Sequence, residues 1–352
     1  MLDTNEKLAA LTTRLEKADW IAVDTEADSL HAYPEKLCLI QISATDLNEL
    51  VDPLASVDLR PLFDVLRRHE LIFHAADYDL RLFRRAFEFI PEQIFDTMEA
   101  ARLLGHHEFG LTHLVKKYLD VTLEKGPQKA NWARRPLTER MQVYARNDTR
   151  YLKPVADLLR EELRQKGRLN WHQETCARLI VACAQPREVD TDRVWRLSGS
   201  SRLTRPGLAI LRELWEWRER EATVANKPPF FVLSHDQLVA IAGAASHHLP
   251  YVEHLPRSFS IRRRSTLDEA IARGLRLPLP QCPEFIQSEG RRSTEPEKRR
   301  LAVLKKKRDH HALQLEIDPT LIASRVTLDL LARDGSNHHD QLMRWQRELL
   351  LD

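Results

Sequence analysis

The chain has 352 residues, enough for two or three domains that each bury a core. Charged residues make up 30% and apolar ones 43%, there are 10 glycines and low-complexity tracts are absent, which excludes disordered and fibrous classes. The net charge of +2 hides an asymmetry: 10 Lys and Arg face 20 Asp and Glu over residues 1–100, 10 face 5 over 101–150, and 27 face 21 from 191 onward. Along the chain, Trp20–Glu26 reads as a buried strand running into a polar loop, Leu37–Ser43 (LCLIQIS) as a second strand, Asn48–Asp52 as a third and Glu70–Ala75 as a fourth. A helix follows over Asp77–Phe87, and short strands ahead of helices, with turn residues such as Asp52-Pro53 between them, argue for an α/β or α+β domain. From about residue 97 the pattern is helical; Pro136 is expected to open a long helix and Pro154 to bend it or end its first part.

Arg187–Pro206 is polar and carries Gly199, Ser200 and Ser201, so a linker is expected at 191–206. Beyond it two segments resemble each other. Leu208-Ala-Ile-Leu211 recurs 93 residues later as Leu301-Ala-Val-Leu304, and Leu238, Ile241 and Ala242 recur 90 residues later as Leu328, Leu331 and Ala332. A duplicated small helical module is expected, with copies at 207–280 and 297–352 joined through a Pro-rich linker at 281–296. The basic runs Arg262–Arg264, Lys298–Arg300 and Lys305–Arg308 suit either a polyanion-binding face or an ordinary solvated helix surface.

Candidate chemistry sits in the acidic half. Asp24 and Glu26 are two apart on a strand, so both project from one face. Asp79 falls at the entry of the helix after the fourth strand, and Asp148 follows Tyr144 by four on a helix, which stacks phenol and carboxylate on one side. Taken singly, these are a turn acid, a helix N-terminal acid and a packed tyrosine with its hydroxyl satisfied. Taken together, four clustered carboxylates raise one another's pKa and call for a cation. Oxygen donors without Cys or His select hard ions, Mg²⁺ or Mn²⁺, and two such ions can drive phosphodiester hydrolysis.

The stretches Val23-Asp24-Thr25-Glu26 with LCLIQIS, then HAADYDLRLF, then Tyr144-Ala145-Arg146-Asn147-Asp148, resemble the three exonuclease motifs of the DEDD superfamily, in its tyrosine subclass. FDTMEAARLLG (95–105), GLTHLVKKYL (110–119) and WARRPLTERMQVYARNDTRYL (132–152) are similar to the ribonuclease D family, and LRELWEWRERE (211–221) with Pro228-Pro229-Phe230 and VLSHDQLVAIA resembles an HRDC (helicase-and-RNase-D-C-terminal) domain. One departure is Asn131 before Trp132, where the family has Asp. The resemblance implies an α/β ribonuclease-H-like exonuclease domain over 1–190, a mostly five-stranded mixed sheet flanked by helices, followed by two small all-α HRDC-like domains.

It also implies roles. Asp24 would bridge two divalent cations, Mg²⁺ or Mn²⁺; Glu26 and Asp148 would complete the site of the ion beside the nucleophile; Asp79 would help hold the second; and Tyr144 would orient the attacking water. Leu30, four after Glu26, stands where related exonucleases wedge an apolar side chain against the terminal base, although an apolar residue there equally suits a core. The implied activity is 3′→5′ exoribonucleolysis releasing nucleoside 5′-monophosphates, with tRNA and other structured RNA precursors as partners. A DNA exonuclease and a catalytically inactive nucleic-acid adaptor are the alternatives. Trp215 and Trp217, two apart on a helix, cannot share a face, so at least one is expected in the core, and the four His-His pairs lack metal-ligand spacing. With no apolar run near the ~18–20 residues of a membrane span, a polar start (MLDTNEKLAA), and cysteines (Cys38, Cys176, Cys183, Cys282) too scattered for a disulfide scaffold or zinc site, a cytoplasmic monomer without membrane or obligate protein partner is expected.

Overall fold

A computed structural model describes residues 1–124, 126–186, 190–286 and 293–351. The chain divides into two units, one of residues 1–27, 37–186 and 291–352, the other of 28–36 and 187–290.

The first unit is built on a five-stranded sheet of β1 (Ile21–Ala27), β2 (Leu37–Ala44), β3 (Leu47–Val51), β4 (Glu70–Phe73) and β5 (Gln93–Asp96), in the order β3-β2-β1-β4-β5. β1–β2 and β2–β3 are antiparallel, β1–β4 and β4–β5 parallel. The near-continuous apolar run of β2 is explained by burial on both faces, every residue of it being buried. On one face Ile21 and Val23 meet α1 (Asn5–Leu15), α2 (Arg60–Leu66) and α3 (Asp77–Phe87) in a core that includes Leu62, Phe63, Leu80 and Phe83. On the other, Ala22 joins a core with α4 (Thr97–Leu103), α5 (Leu111–Leu119) and α7 (Leu152–Gln165). The period of two therefore sends Asp24 and Glu26 to the Ala22 side, the side on which α6 (Glu139–Arg150) lies across β1, β2 and β3. α8 (Leu169–Ala184) packs on α3 and β5.

The four strands placed from the sequence agree with β1–β4 to within two residues, β5 was not placed, and α3 spans the expected Asp77–Phe87. The long helix expected from Pro136 starts instead at Glu139, where Thr138 caps it by accepting from the Met141 amide. It ends at Tyr151, the shared cap before α7, and Pro154 lies in the first turn of α7, where the missing N–H costs nothing.

The second unit gathers α9 (Arg205–Ala225), α10 (His235–Ser246) and α11 (Ile261–Arg276) around Leu208, Leu211, Leu214, Trp217, Leu238, Ile241 and Leu267. Trp217 is core and Trp215 packs against it, as expected from their spacing. The expected linker at 191–206 is not a free tether: Trp195 and Leu203 are part of this core. Of the expected linker at 281–296, residues 287–292 lie outside the described residues.

A further correction concerns 297–352, expected as a separate helical domain. Its α12 (Glu295–Leu315), α13 (Pro319–Ile322), α14 (Arg325–Asp334) and α15 (Arg344–Leu350) place Ala312, Ile317, Ile322, Leu328, Leu331, Leu342 and Trp345 in one core with Phe95, Leu103, Leu114 and Leu159 of the sheet unit. Trp345 stacks on Trp171 of α8 with centroids 4.8 Å apart, and Arg168 donates to the Leu103 and Leu315 carbonyls. The apolar stripe that periodicity reveals is there, but what it covers is the sheet unit's own core.

Candidate active site

Asp24 and Glu26 leave the same face of β1, and Asp148 descends from α6 onto them: carboxylate oxygens of the three lie within 4.8 Å of one another. The register fixes β1 locally, with Asp24 opposite Gln41 of β2, whose Nε2 donates to Asp24 Oδ2 at 3.3 Å. α6 is tied to the sheet at the same level by three polar links. Ser43 and Thr149 share a hydroxyl bond of 2.8 Å, Asn48 Nδ2 donates to the Arg146 carbonyl at 2.9 Å, and Arg146 Nε donates to the Asn48 carbonyl at 3.3 Å. Tyr144 precedes Asp148 by one turn of α6, close enough for its hydroxyl to favour the ionised Asp148 carboxylate.

Asp79 stands apart from that trio. It is buried in the first turn of α3, and Thr25, between the two β1 acids, donates its hydroxyl to it. The β4–α3 turn that delivers Asp79 passes through Ala75 at φ +62°, a left-handed conformation disfavoured by a β-carbon. Asp96 holds that turn: its two oxygens accept from the Ala75 amide at 3.0 Å and the Ala76 amide at 2.8 Å. Asp96 also caps α4 through the Met98 and Glu99 amides at 2.8 and 3.3 Å.

Burial and mutual repulsion dominate the electrostatics. Burial lifts the Asp24 carboxyl well above its ordinary range and Asp148 adds to this. Glu26 is raised to about 10 by burial, then by Asp24, Asp148 and Asp79. Asp79 rises through burial and the Asp24 charge, and Asp148 is raised to about 7 by burial, with the Tyr144 hydroxyl working the other way. The Tyr144 phenol is itself pushed up by burial and by Asp148. Such a group of carboxylates is costly unless a cation neutralises it. The donor set is all oxygen, no Cys or His belongs to it, and half-buried carboxylates at this spacing fit one or two hard divalent ions.

The structure thus brings Asp24, Glu26, Tyr144 and Asp148 together and sets Asp79 beside Thr25. Leu30 is on the loop 28–36 that belongs to the second unit, and at 40% exposure it is not a core residue. Gln41, Thr25 and Asp96 are contributors that sequence reading missed. A glutamine in the middle of the apolar run LCLIQIS was a signal for Gln41; Asp96 carries a local signal only for its cap of α4, and its bonds to the Ala75 and Ala76 amides, 21 and 20 residues away, leave none.

Comparison with known proteins agrees with this geometry. Residues 1–164 match the 3′-5′ exonuclease family and residues 207–248 match the HRDC domain. All of the chain aligns at 30% identity with ribonuclease D of Gluconacetobacter diazotrophicus, covering 91% of that protein. It is 31% identical to ribonuclease D of Granulibacter bethesdensis over 99% of this chain and 90% of that one. The crystal structure of Escherichia coli RNase D, described as an exoribonuclease involved in structured RNA processing, superposes with a TM-score of 0.77 at 26% identity over 99% of this chain and 96% of that one. A mixed sheet presenting clustered carboxylates, in a segment with this match, is that of a 3′–5′ exonuclease. The chain belongs to the ribonuclease D family, hydrolytic 3′–5′ exoribonucleases that join such a domain to HRDC helices. Among the described residues no helix is long and apolar enough to cross a membrane.

Proposed function

We propose that the chain removes nucleotides one at a time from RNA 3′ ends by two-cation hydrolysis, releasing nucleoside 5′-monophosphates, and that it matures the 3′ ends of tRNA or other structured precursors. The observation that carries this reading is the convergence of carboxylate oxygens of Asp24, Glu26 and Asp148 within 4.8 Å, one helical turn from Tyr144. The structured-RNA substrate rests on the Escherichia coli relative.

Two divalent cations, Mg²⁺ or Mn²⁺, would supply Lewis acidity to an attacking water and to the scissile phosphate. Asp24, Glu26 and Asp148 would hold the cation beside the nucleophile, and Asp24 and Asp79 the other. Tyr144, with its pKa raised, stays a neutral phenol at physiological pH. It therefore serves as a hydrogen-bonding guide for the water, not as a base. Thr25 and Gln41 fix the carboxylates they touch. Leu30 is apolar and exposed, the kind of side chain on which a base can stack. The helices α12 and α14, which carry the repeated Leu301–Leu304 and Leu328–Ala332 patterns, are a diverged second HRDC module docked on the exonuclease unit. The enzyme works in the cytoplasm as a monomer.

Matched RNA and DNA oligonucleotides and a tRNA carrying a 3′ extension, labelled at the 3′ end and digested side by side, test this. Nucleoside 5′-monophosphates from RNA and shortening of the extended tRNA are expected. Preference for DNA would keep the chemistry and remove the RNA reading, and binding without release would leave an adaptor.

A further inference from the structure

Trp132 and Arg135 lie in a segment that reaches no carboxylate of the site, yet Arg135 is the most fully engaged guanidinium of the sheet unit among the described residues. Its Nε and Nη2 grip Asp52 as a fork, at 2.5 and 2.6 Å. Nη2 also donates to the Cys38 carbonyl at 2.7 Å, and Nη1 to the Trp132 and Arg134 carbonyls at 2.7 and 3.0 Å. All five N–H donors of the fork are thereby matched, which lysine cannot reproduce. Asp52 directly follows β3 and Cys38 lies in β2, so the clamp fastens this segment to the strand pair beside β1.

The fastened segment buries Trp132 completely, among Cys38, Leu39, Leu50, Met141 and Ala145. Its indole N–H finds no acceptor among the described residues. The ring is held for its shape, and against it lies Tyr144, with centroids 6.1 Å apart and planes at 33°. Gly126 also abuts the ring: a Cβ there would fall 1.5 Å from Tyr144 Cδ2. The phenol is thus seated against Gly126 and Trp132, in a socket that Arg135 fixes to the sheet.

We propose that Arg135, acting through Trp132, is a positioning residue for Tyr144, setting where the phenol oxygen stands beside Asp148. The inference rests on the reading of Tyr144 as the guide of the attacking water. It requires the clamp to govern the rate of the chemical step while leaving cation and RNA binding alone, since neither residue touches a carboxylate of the site. The charge-keeping Arg135→Lys loses the fork, and Trp132→Phe loosens the socket without discarding a satisfied hydrogen bond.

A double-mutant cycle on the full-length protein tests it, using kcat and KM on a 3′-labelled RNA oligonucleotide and Mn²⁺ affinity by calorimetry. Tyr144→Phe is expected to lower kcat, Arg135→Lys to lower it about tenfold at unchanged KM and Mn²⁺ affinity, and the double variant to fall less than about twofold below Tyr144→Phe alone. Multiplying losses, an unchanged kcat in Arg135→Lys, or a loss of Mn²⁺ affinity in step with kcat would each overturn the proposal. A silent Tyr144→Phe would instead overturn the reading of Tyr144 on which it rests. If Arg135→Lys does not fold, Trp132→Phe enters the same cycle with the same expectations.

Discussion

Asp24 and Glu26 are neighbours because a strand repeats every two residues, and Tyr144 meets Asp148 because a helix repeats every 3.6. Both pairs were therefore legible in the sequence, whereas Gln41 and Thr25 acquire their partners only through strand pairing and helix placement. Their crowding has a consequence for stability. Asp148 titrates at about 7 in the folded chain against an ordinary 3.8, and Glu26 at about 10 against 4.5. Between those limits the folded state keeps protons that the unfolded chain has released, so this cluster's contribution to metal-free stability is most favourable at low pH and falls as pH rises from about 4 through 7 and beyond. In EDTA the melting temperature at pH 8 is expected below that at pH 5 by an amount on the order of a few degrees, with Mn²⁺ restoring it. A pH 5 to pH 8 difference in metal-free melting temperature that is the same in Glu26→Gln as in the wild type would contradict the repulsion. Gly126→Ala is a second expectation at this scale: the new methyl displaces the Tyr144 ring, lowering kcat while metal-dependent stabilisation persists. Unchanged turnover would show that the ring has another place to go.

At the scale of elements, Asp96 joins three of them. It ends β5, caps α4 and holds the left-handed turn at Ala75 from which α3 delivers Asp79. Replacing it by Ala strands four amides, two of them in a strained turn, at a cost of about 2 kcal/mol or more. Asp96→Ala is expected to lower the urea midpoint and weaken Mn²⁺ binding together; a stability loss with unchanged Mn²⁺ affinity would mean that the turn holds Asp79 without Asp96. β5 went unread because four residues, one of them exposed, carry too little alternation to distinguish a strand from the head of the following helix. The break between α6 and α7 was anticipated near Pro154, yet it falls at Tyr151, since proline is tolerated in a first helical turn.

At the scale of the whole molecule, the acidic N-terminal stretch holds Asp24, Glu26 and Asp79, and the later basic runs are partly consumed by structure. Arg262 and Arg263 bind the buried Glu221, Arg300 donates to the Ala332 carbonyl, and Arg308 pairs with Asp309. Arg299, Lys305 and Lys306 are exposed and remain suited to a polyanion. The repeat in the C-terminal half was readable as two amphipathic patterns, but an apolar stripe does not declare its partner. The first copy builds its own core, and the second shares one with β5, α4 and α7. Ending the chain before residue 293 is therefore expected to uncover Leu103, Leu114 and Leu159 and to lower the melting temperature of the exonuclease unit. An unchanged melting temperature would fit an independent domain instead.

The most direct test follows nucleotide release from a 3′-labelled RNA in Mg²⁺ or EDTA, with the wild-type chain and Asp24→Asn, checking by circular dichroism that both are folded. Mononucleotides are expected from the wild type in Mg²⁺ only, with a loss of at least about a thousandfold in the variant. Release that survives EDTA, or a folded Asp24→Asn as active as the wild type, would contradict hydrolysis at the carboxylate cluster.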